Sequence, residues 1–326
     1  MSRWLCVGTA ALIVVASGCR WPDAPLFDGL LDRTEVIMGA RLRIALEPPP
    51  GRAADAVFAQ AFARVRALDD LLSDYRPETP LSRLSATSGG PAVRVTPELR
   101  AFLERAQRDH AATEGAFDIT AGALVRALRR GEPAAIHRAR AATGLEHVLL
   151  LRDGRVQLRR PGMWLDAGGI GKGMAVDAVV AVLRAAGVRR AFVDFGGSSF
   201  YGLGVPRGRA GWPVLLGGHA RAQPLGVVHL RDEGFSSSEA RLSAPQGARR
   251  RRHILDPRTR TLVDAERYAV VLSPSATDAD VLTTALVVEP RLRAKLAARY
   301  PGAIGLVVDG AGDPEIDPAL AARMTP

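Results

Sequence analysis

Asp166-Ala-Gly-Gly-Ile-Gly-Lys-Gly173 packs four glycines and a lysine into eight positions, directly ahead of Gly173 to Ala186, where apolar residues recur at helical spacing up to a Gly187 stop. Backbone amides in a glycine-rich turn that opens a helix point at one spot, where a phosphate can sit. Lys172 adds a compact positive charge. Of the 44 basic residues only Lys172 and Lys295 are lysines, so a lysine inside this loop suggests that an ammonium, not a guanidinium, is wanted there. The competing reading is a turn kept small for close packing. The spacing does not fit a P-loop, which disfavours an ordinary nucleotide triphosphatase. Ala191 to Phe195 then reads as a buried strand ending at Gly196-Gly197.

Working outward, Ala54 to Leu72 carries Val57, Ala61, Val65, Leu68 and Leu72 on one helical face and runs into Ser73-Asp74-Tyr75. Thr96-Pro97-Glu98 reads as an N-cap, a first-turn proline and an acidic first turn, opening a helix to Glu114 with Gly115 as its stop. Leu149 to Leu151 and Arg155 to Leu158 flank Arg152-Asp153-Gly154 as a hairpin. Downstream, Trp212 to Leu216, Leu225 to Leu230, Ala269 to Leu272 and Ile304 to Val308 are strand candidates, with a helix from Asp278 to Val288. The pattern is a mixed α and β chain with no period of solenoid or propeller length.

Four further segments carry candidate chemistry. In Asp278-Ala-Asp280-Val-Leu-Thr-Thr284, Asp280 and Thr284 lie four apart on one helical face, and a carboxylate with a hydroxyl suits Mg²⁺, which keeps open positions for water and substrate phosphate. The alternative is that Thr277 or Asp278 caps the helix and Thr284 only packs. His253 precedes the Asp256-Pro257 turn, where it could serve as general base, position a phosphate, or be structural. Gly115-Ala-Phe-Asp-Ile-Thr120 and Leu71-Leu-Ser-Asp-Tyr75 place an acidic and an aromatic residue at helix ends.

Taken in order, LLSDY, GAFDIT, DAGGIGKG, the FGG strand end, HILDP and ADVLTT resemble the FAD:protein FMN transferase (ApbE-type flavin transferase) family over Val36 to Val288. The resemblance implies an α+β fold of mainly antiparallel sheets with packed helices, two lobes, and FAD in the cleft between them. It implies contacts to FAD from Met38, Tyr75, Ala116, Phe117, Asp118, Asp166, Lys172 and the backbone near Ile254 and Leu255, with Tyr75 facing a ring of the dinucleotide. It implies Mg²⁺ held by the Gly169 carbonyl, Asp280 and Thr284 beside the FAD pyrophosphate. The reaction it implies is attack by a threonine of an acceptor flavoprotein on the FMN-side phosphorus with AMP leaving, assisted by His253 and Lys172. A pyrophosphatase giving FMN and AMP, and an FAD-binding lipoprotein without chemistry, are the alternatives. Three departures from the family pattern stand out: Ala40 where Thr is usual, Arg260 where Gly is usual, and Ser236-Ser237-Ser238-Glu239 where Thr-Ser-Gly is typical.

Compartment is read from the first residues. Arg3, an uncharged apolar run from Trp4 to Ala16, and Ala16-Ser17-Gly18-Cys19 form a signal peptide pattern that resembles a lipobox, so residues 1–18 are expected to be removed and Cys19 lipidated. An uncleaved membrane helix is the competing reading, and the run is shorter than a bilayer span of about 20 residues. Residues 19–31 are then a tether and 32–326 the flavin transferase domain, membrane-anchored on the extracytoplasmic side. With Cys6 lost and Cys19 acylated, no cysteine is left for a disulfide or thiolate metal site. The formal charge of +10 is spread as arginine along the whole chain, densest at Arg249 to Arg252; without interleaved aromatics it gives no nucleic-acid partner.

Overall fold

The computed structural model describes residues 27–217, 224–242, 251–310 and 312–325. The signal peptide, the lipidation site Cys19 and most of the tether lie outside them. The fold is α+β. Among the described residues the main sheet has eight strands, in the spatial order Leu31–Ile37, Ala40–Leu46, Ala191–Phe195, Ser199–Leu203, Glu233–Glu239, Arg267–Ser273, Ile304–Asp309 and Glu315–Ile316. Every pairing is antiparallel.

Period-two alternation explains how this sheet is covered. Along Arg267–Ser273, Tyr268, Val270 and Leu272 enter one core, while Ala269 and Val271 enter another on the opposite face. The first face is closed by the hairpin of Trp212–Leu216 and Gly226–Leu230. Helices cover the other: α1 (Ala54–Leu72), then, past α2 (Pro80–Ala86), α3 (Pro97–Ala112), α4 (Gly122–Arg130) and α5 (Pro133–Ala142), come α6 (Gly171–Ala185) and α7 (Ala276–Val288). α1 lies against α6, α6 against α7, and α7 against the strands Glu233–Glu239 and Arg267–Ser273. Buried residues occur on nearly every side of α7, from Ala276 to Val288, which makes it the central helix. Helices α2 to α5 and a three-stranded sheet (Val93–Arg94, Arg155–Leu158, Val148–Leu150) form the other side of a cleft.

Boundaries moved where capping intervened. The helix after Thr96 stops at Ala112, two residues short of Glu114, because Glu114 and Gly115 take φ of +55° and +78°, outside any α-helix. α6 begins at Gly171, not Gly173. α7 begins at Ala276, with Ser275 as its cap accepting the Asp278 amide at 3.2 Å, so neither Thr277 nor Asp278 is the N-cap. The hairpin Leu31–Leu46 was not read from sequence. Its signal is Met38-Gly39, both at positive φ as a two-residue hairpin turn requires.

Candidate active site

A cavity of about 950 Å³ opens in the cleft, and every position singled out above as a catalytic, cofactor or metal residue lines it: Met38, Tyr75, Ala116, Phe117, Asp118, Asp166, Gly169, Lys172, His253, Ile254, Leu255, Asp280 and Thr284. Segments more than 200 residues apart meet there, delivered by the Met38 hairpin turn, the end of α1, the loop after α3, the start of α6 and the buried helix α7.

Asp280 is the centre of the polar wall. It is 2% exposed, and its carboxylate accepts the Gly173 amide at 2.9 Å and the Ser236 hydroxyl at 3.3 Å, with Lys172 Nζ at 3.4 Å. A buried carboxylate needs such donors to offset desolvation. One helical turn on, Thr284 Oγ1 donates to the Asp280 carbonyl at 3.2 Å. Gly169 stands against the same hydroxyl, since a methyl built on it would lie 3.5 Å from Thr284 Oγ1. One carboxylate, a hydroxyl and a nearby loop carbonyl are hard oxygen donors, and among the described residues no cluster of three His, Cys, Asp or Glu competes with them. That donor set fits Mg²⁺ completed by substrate phosphate and water, and is too poor in nitrogen and sulfur for zinc.

The glycine loop works differently from a simple amide cradle. The Gly168 amide donates to Asp166 Oδ1 at 2.7 Å, those of Ile170 and Gly171 to the Ala167 carbonyl, and that of Gly173 to Asp280. These four bond within the protein, and Lys172 brings an ammonium to the cavity from the same loop. Gly173 answers to packing: a methyl there would come within 2.4 Å of the Ala276 carbonyl oxygen and 2.7 Å of Thr277 Cα. The close-packing reading of the loop therefore holds at Gly173.

Asp118 lines the cavity yet turns its carboxylate inward. Oδ1 accepts the Thr120 amide and hydroxyl at 2.7 and 2.6 Å, and Oδ2 accepts the Leu145 amide at 3.0 Å. Burial pushes its pKa up even so, against those bonds and the nearby His110. Its geometry shapes the Ala116-Phe117 wall. Tyr75 sits at the mouth, 82% exposed, with the Arg126 guanidinium 5.3 Å from its ring centre and 4.8 Å from that of Trp164. Arg126 also donates to the Asp74 carbonyl at 3.0 Å and to its carboxylate. His253 reaches the cavity from the segment ahead of the Asp256 turn, which Arg258 ties to Asp256 and Glu289.

Sequence reasoning missed Arg126 and Thr283, and it named Asp74, Ser236 and Ser238 only as members of their segments, without their partners. In the Ser236–Glu239 departure, strand alternation divides the roles. Ser236 donates to Asp280 and Ser238 to Thr283 Oγ1 at 3.0 Å, with Ser238 lining the cavity. Ser237 and Glu239 act on Tyr268, on the opposite face. Arg260 has φ of +58°, the left-handed region that favours the glycine usual there.

The sequence model of the ApbE family matches residues 38–307. The chain belongs to that family. It is 30% identical over 311 residues to the FAD:protein FMN transferase of Treponema pallidum (strain Nichols), covering 85% of this chain and 83% of that one. It is 27% identical to the protein of the same name from Vibrio cholerae, covering 88% of each. Among solved structures, the flavin transferase ApbE from Vibrio cholerae superposes with a TM-score of 0.79 at 22% identity, over 90% of this chain and 99% of that one. The apo flavinyl transferase ApbE of Pseudomonas stutzeri gives 0.77 at 24% identity, over 90% and 96%. These two establish a shared fold. This ApbE-family chain is accordingly a transferase, and its cavity is where the family's sequence motifs converge.

Proposed function

We propose that this chain transfers FMN from FAD to a threonine hydroxyl of an acceptor protein, releasing AMP, with Mg²⁺ at Asp280, Thr284 and the Gly169 carbonyl. One observation carries the reading: Lys172 Nζ, the buried Asp280 carboxylate and the Thr284 hydroxyl share one wall of a cavity large enough for a dinucleotide. When bound, Mg²⁺ would offset charge on the pyrophosphate oxygens. Lys172 supports the same diphosphate as a point charge. His253 takes the proton of the attacking hydroxyl, and the bond from the FMN-side phosphorus to the AMP oxygen breaks as the new P–O bond forms. Phosphoryl transfer asks little covalent chemistry of the protein, so positioning and electrostatics supply most of the acceleration. Tyr75 supports a ring of the dinucleotide at the mouth. The N-terminal pattern supports an exported lipoprotein tethered through Cys19; no helix among the described residues is long and apolar enough to cross a membrane.

The test incubates the purified protein with FAD, Mg²⁺ and a co-encoded flavoprotein. AMP and covalently flavinylated acceptor should appear in equal amounts, with the label on threonine. AMP released without acceptor would make the chain a pyrophosphatase, and FAD binding with no AMP would make it a binder. Asp280→Ala should cut turnover by roughly two orders of magnitude, the scale of several kcal/mol of lost charge stabilisation.

A further inference from the structure

Asp177 lies on α6, one and a half turns beyond Lys172, and makes the densest set of polar contacts on α7. Its Oδ2 accepts the Ser275 hydroxyl at 2.7 Å, the Thr277 amide at 2.9 Å and the Thr277 hydroxyl at 2.6 Å, and its Oδ1 accepts the Ala276 amide at 2.8 Å. Two first-turn amides of α7 that no helical carbonyl can reach are thereby satisfied by a carboxylate, the charge that a helix N-terminus favours.

What this anchor adds is set by how α7 is packed. Gly173 of α6 and Gly234 of the sheet both face Ala276, and a methyl on Gly234 would lie 2.6 Å from Ala276 Cα. Glycine against alanine gives a close but smooth contact, without the interdigitated side chains that resist sliding. The buried residues around α7 are apolar on several sides, so apolar matching alone leaves rotation about its axis weakly fixed. Asp280 follows Thr277 by three residues and Thr284 by one more turn. An axial shift or rotation at Thr277 is therefore carried to both.

We infer that Asp177 is a positioning residue that sets the divalent-cation affinity of the Asp280 and Thr284 pair by fixing the position of α7 on α6. The inference rests on the metal reading proposed above. Its test is Mn²⁺ binding to the full chain with FAD present, followed by electron paramagnetic resonance of free Mn²⁺, alongside FAD binding in chelator by flavin fluorescence. Asp177→Ala should weaken Mn²⁺ by about tenfold or more, the range for residues that orient a metal ligand, with FAD affinity in chelator changed less than twofold. Asp177→Asn, which keeps one acceptor oxygen, should fall between. Should the alanine variant fail to fold, the Ser275→Ala/Thr277→Val double variant removes the hydroxyl donors from the other side and should weaken Mn²⁺ in the same way. A folded variant that binds Mn²⁺ as tightly as the unsubstituted chain would overturn this inference alone. An unsubstituted chain that binds no Mn²⁺ would overturn the metal reading and this inference with it.

Discussion

Replacing Gly173 by alanine tests the tightest joint in the site. The added methyl would sit 2.4 Å from the Ala276 carbonyl oxygen, 2.7 Å from Thr277 Cα and 2.8 Å from Asp280 Cβ. Two of these are backbone atoms and the third is the root of a side chain, so no rotamer change relieves them, and α6 and α7 must separate. Overpacking of this kind costs about 3 kcal/mol at the upper end of the usual range. Alanine recovers about 1 kcal/mol over glycine inside a helix, leaving a net loss of ~2 kcal/mol. For a chain of this length that lowers the thermal midpoint by about 3–4 °C. Gly171, two residues earlier in the same loop, is the control. A methyl there meets the Met38 methyl at 3.0 Å and Ala167 Cβ at 3.9 Å, and Met38 is the flexible tip that can move. Gly171→Ala should hold stability or gain up to about 1 kcal/mol. Differential scanning fluorimetry and urea melts of both variants read the contrast. Because Gly173 also donates to Asp280, its variant should lose turnover as well. A Gly173→Ala midpoint at or above that of Gly171→Ala would refute the packing argument.

Ser236→Ala removes one donor from the buried Asp280 carboxylate and should cost about 1–3 kcal/mol in urea melts, with the larger proportional loss in turnover. Arg126→Met takes the cation from beside Tyr75 and Trp164; FAD affinity measured by fluorescence should weaken about threefold to tenfold, as a lost cation–π contact of about 1 kcal/mol implies, with turnover at saturating FAD unchanged. Burial pushes the Tyr268 hydroxyl up to about 12, while the unfolded chain ionises near 10. The unfolded state then holds fewer protons than the native one between those values, so stability present below pH 10 falls as pH rises, by about 1.4 kcal/mol per unit. Tyr268→Phe should lack that loss, and the stability difference between the two proteins should shrink between pH 10 and pH 11 in urea titrations.

Much of this site was legible before any coordinates. Lys172, Asp280, Thr284 and His253 stand in short segments whose residue types allow a chemistry and whose order along the chain resembles the family, and the helices and strands that carry them follow from local periodicity and capping. What local pattern could not reveal was every contact made across the chain. The Met38-Gly39 turn is short and its flanking strand Leu31–Ile37 is largely exposed, so no apolar alternation marks it. Arg126 reads as one arginine among many until Tyr75 and Trp164 close on it. Ser236-Ser237-Ser238-Glu239 reads as a single polar run until the pleat sends alternate residues to Asp280 and Tyr268.

From sequence alone came the ordered motifs, the lone lysine of the glycine loop and the carboxylate–hydroxyl pair four residues apart, because these depend on residue type and on spacing along a helix. Tertiary structure alone decided that the Gly173 amide goes to Asp280, that Gly173 serves a helix contact, that Asp118 also holds the Leu145 amide, and that Asp177 caps a helix about 100 residues away. Those outcomes depend on distances between segments remote in sequence, and only packing of the whole chain sets such distances.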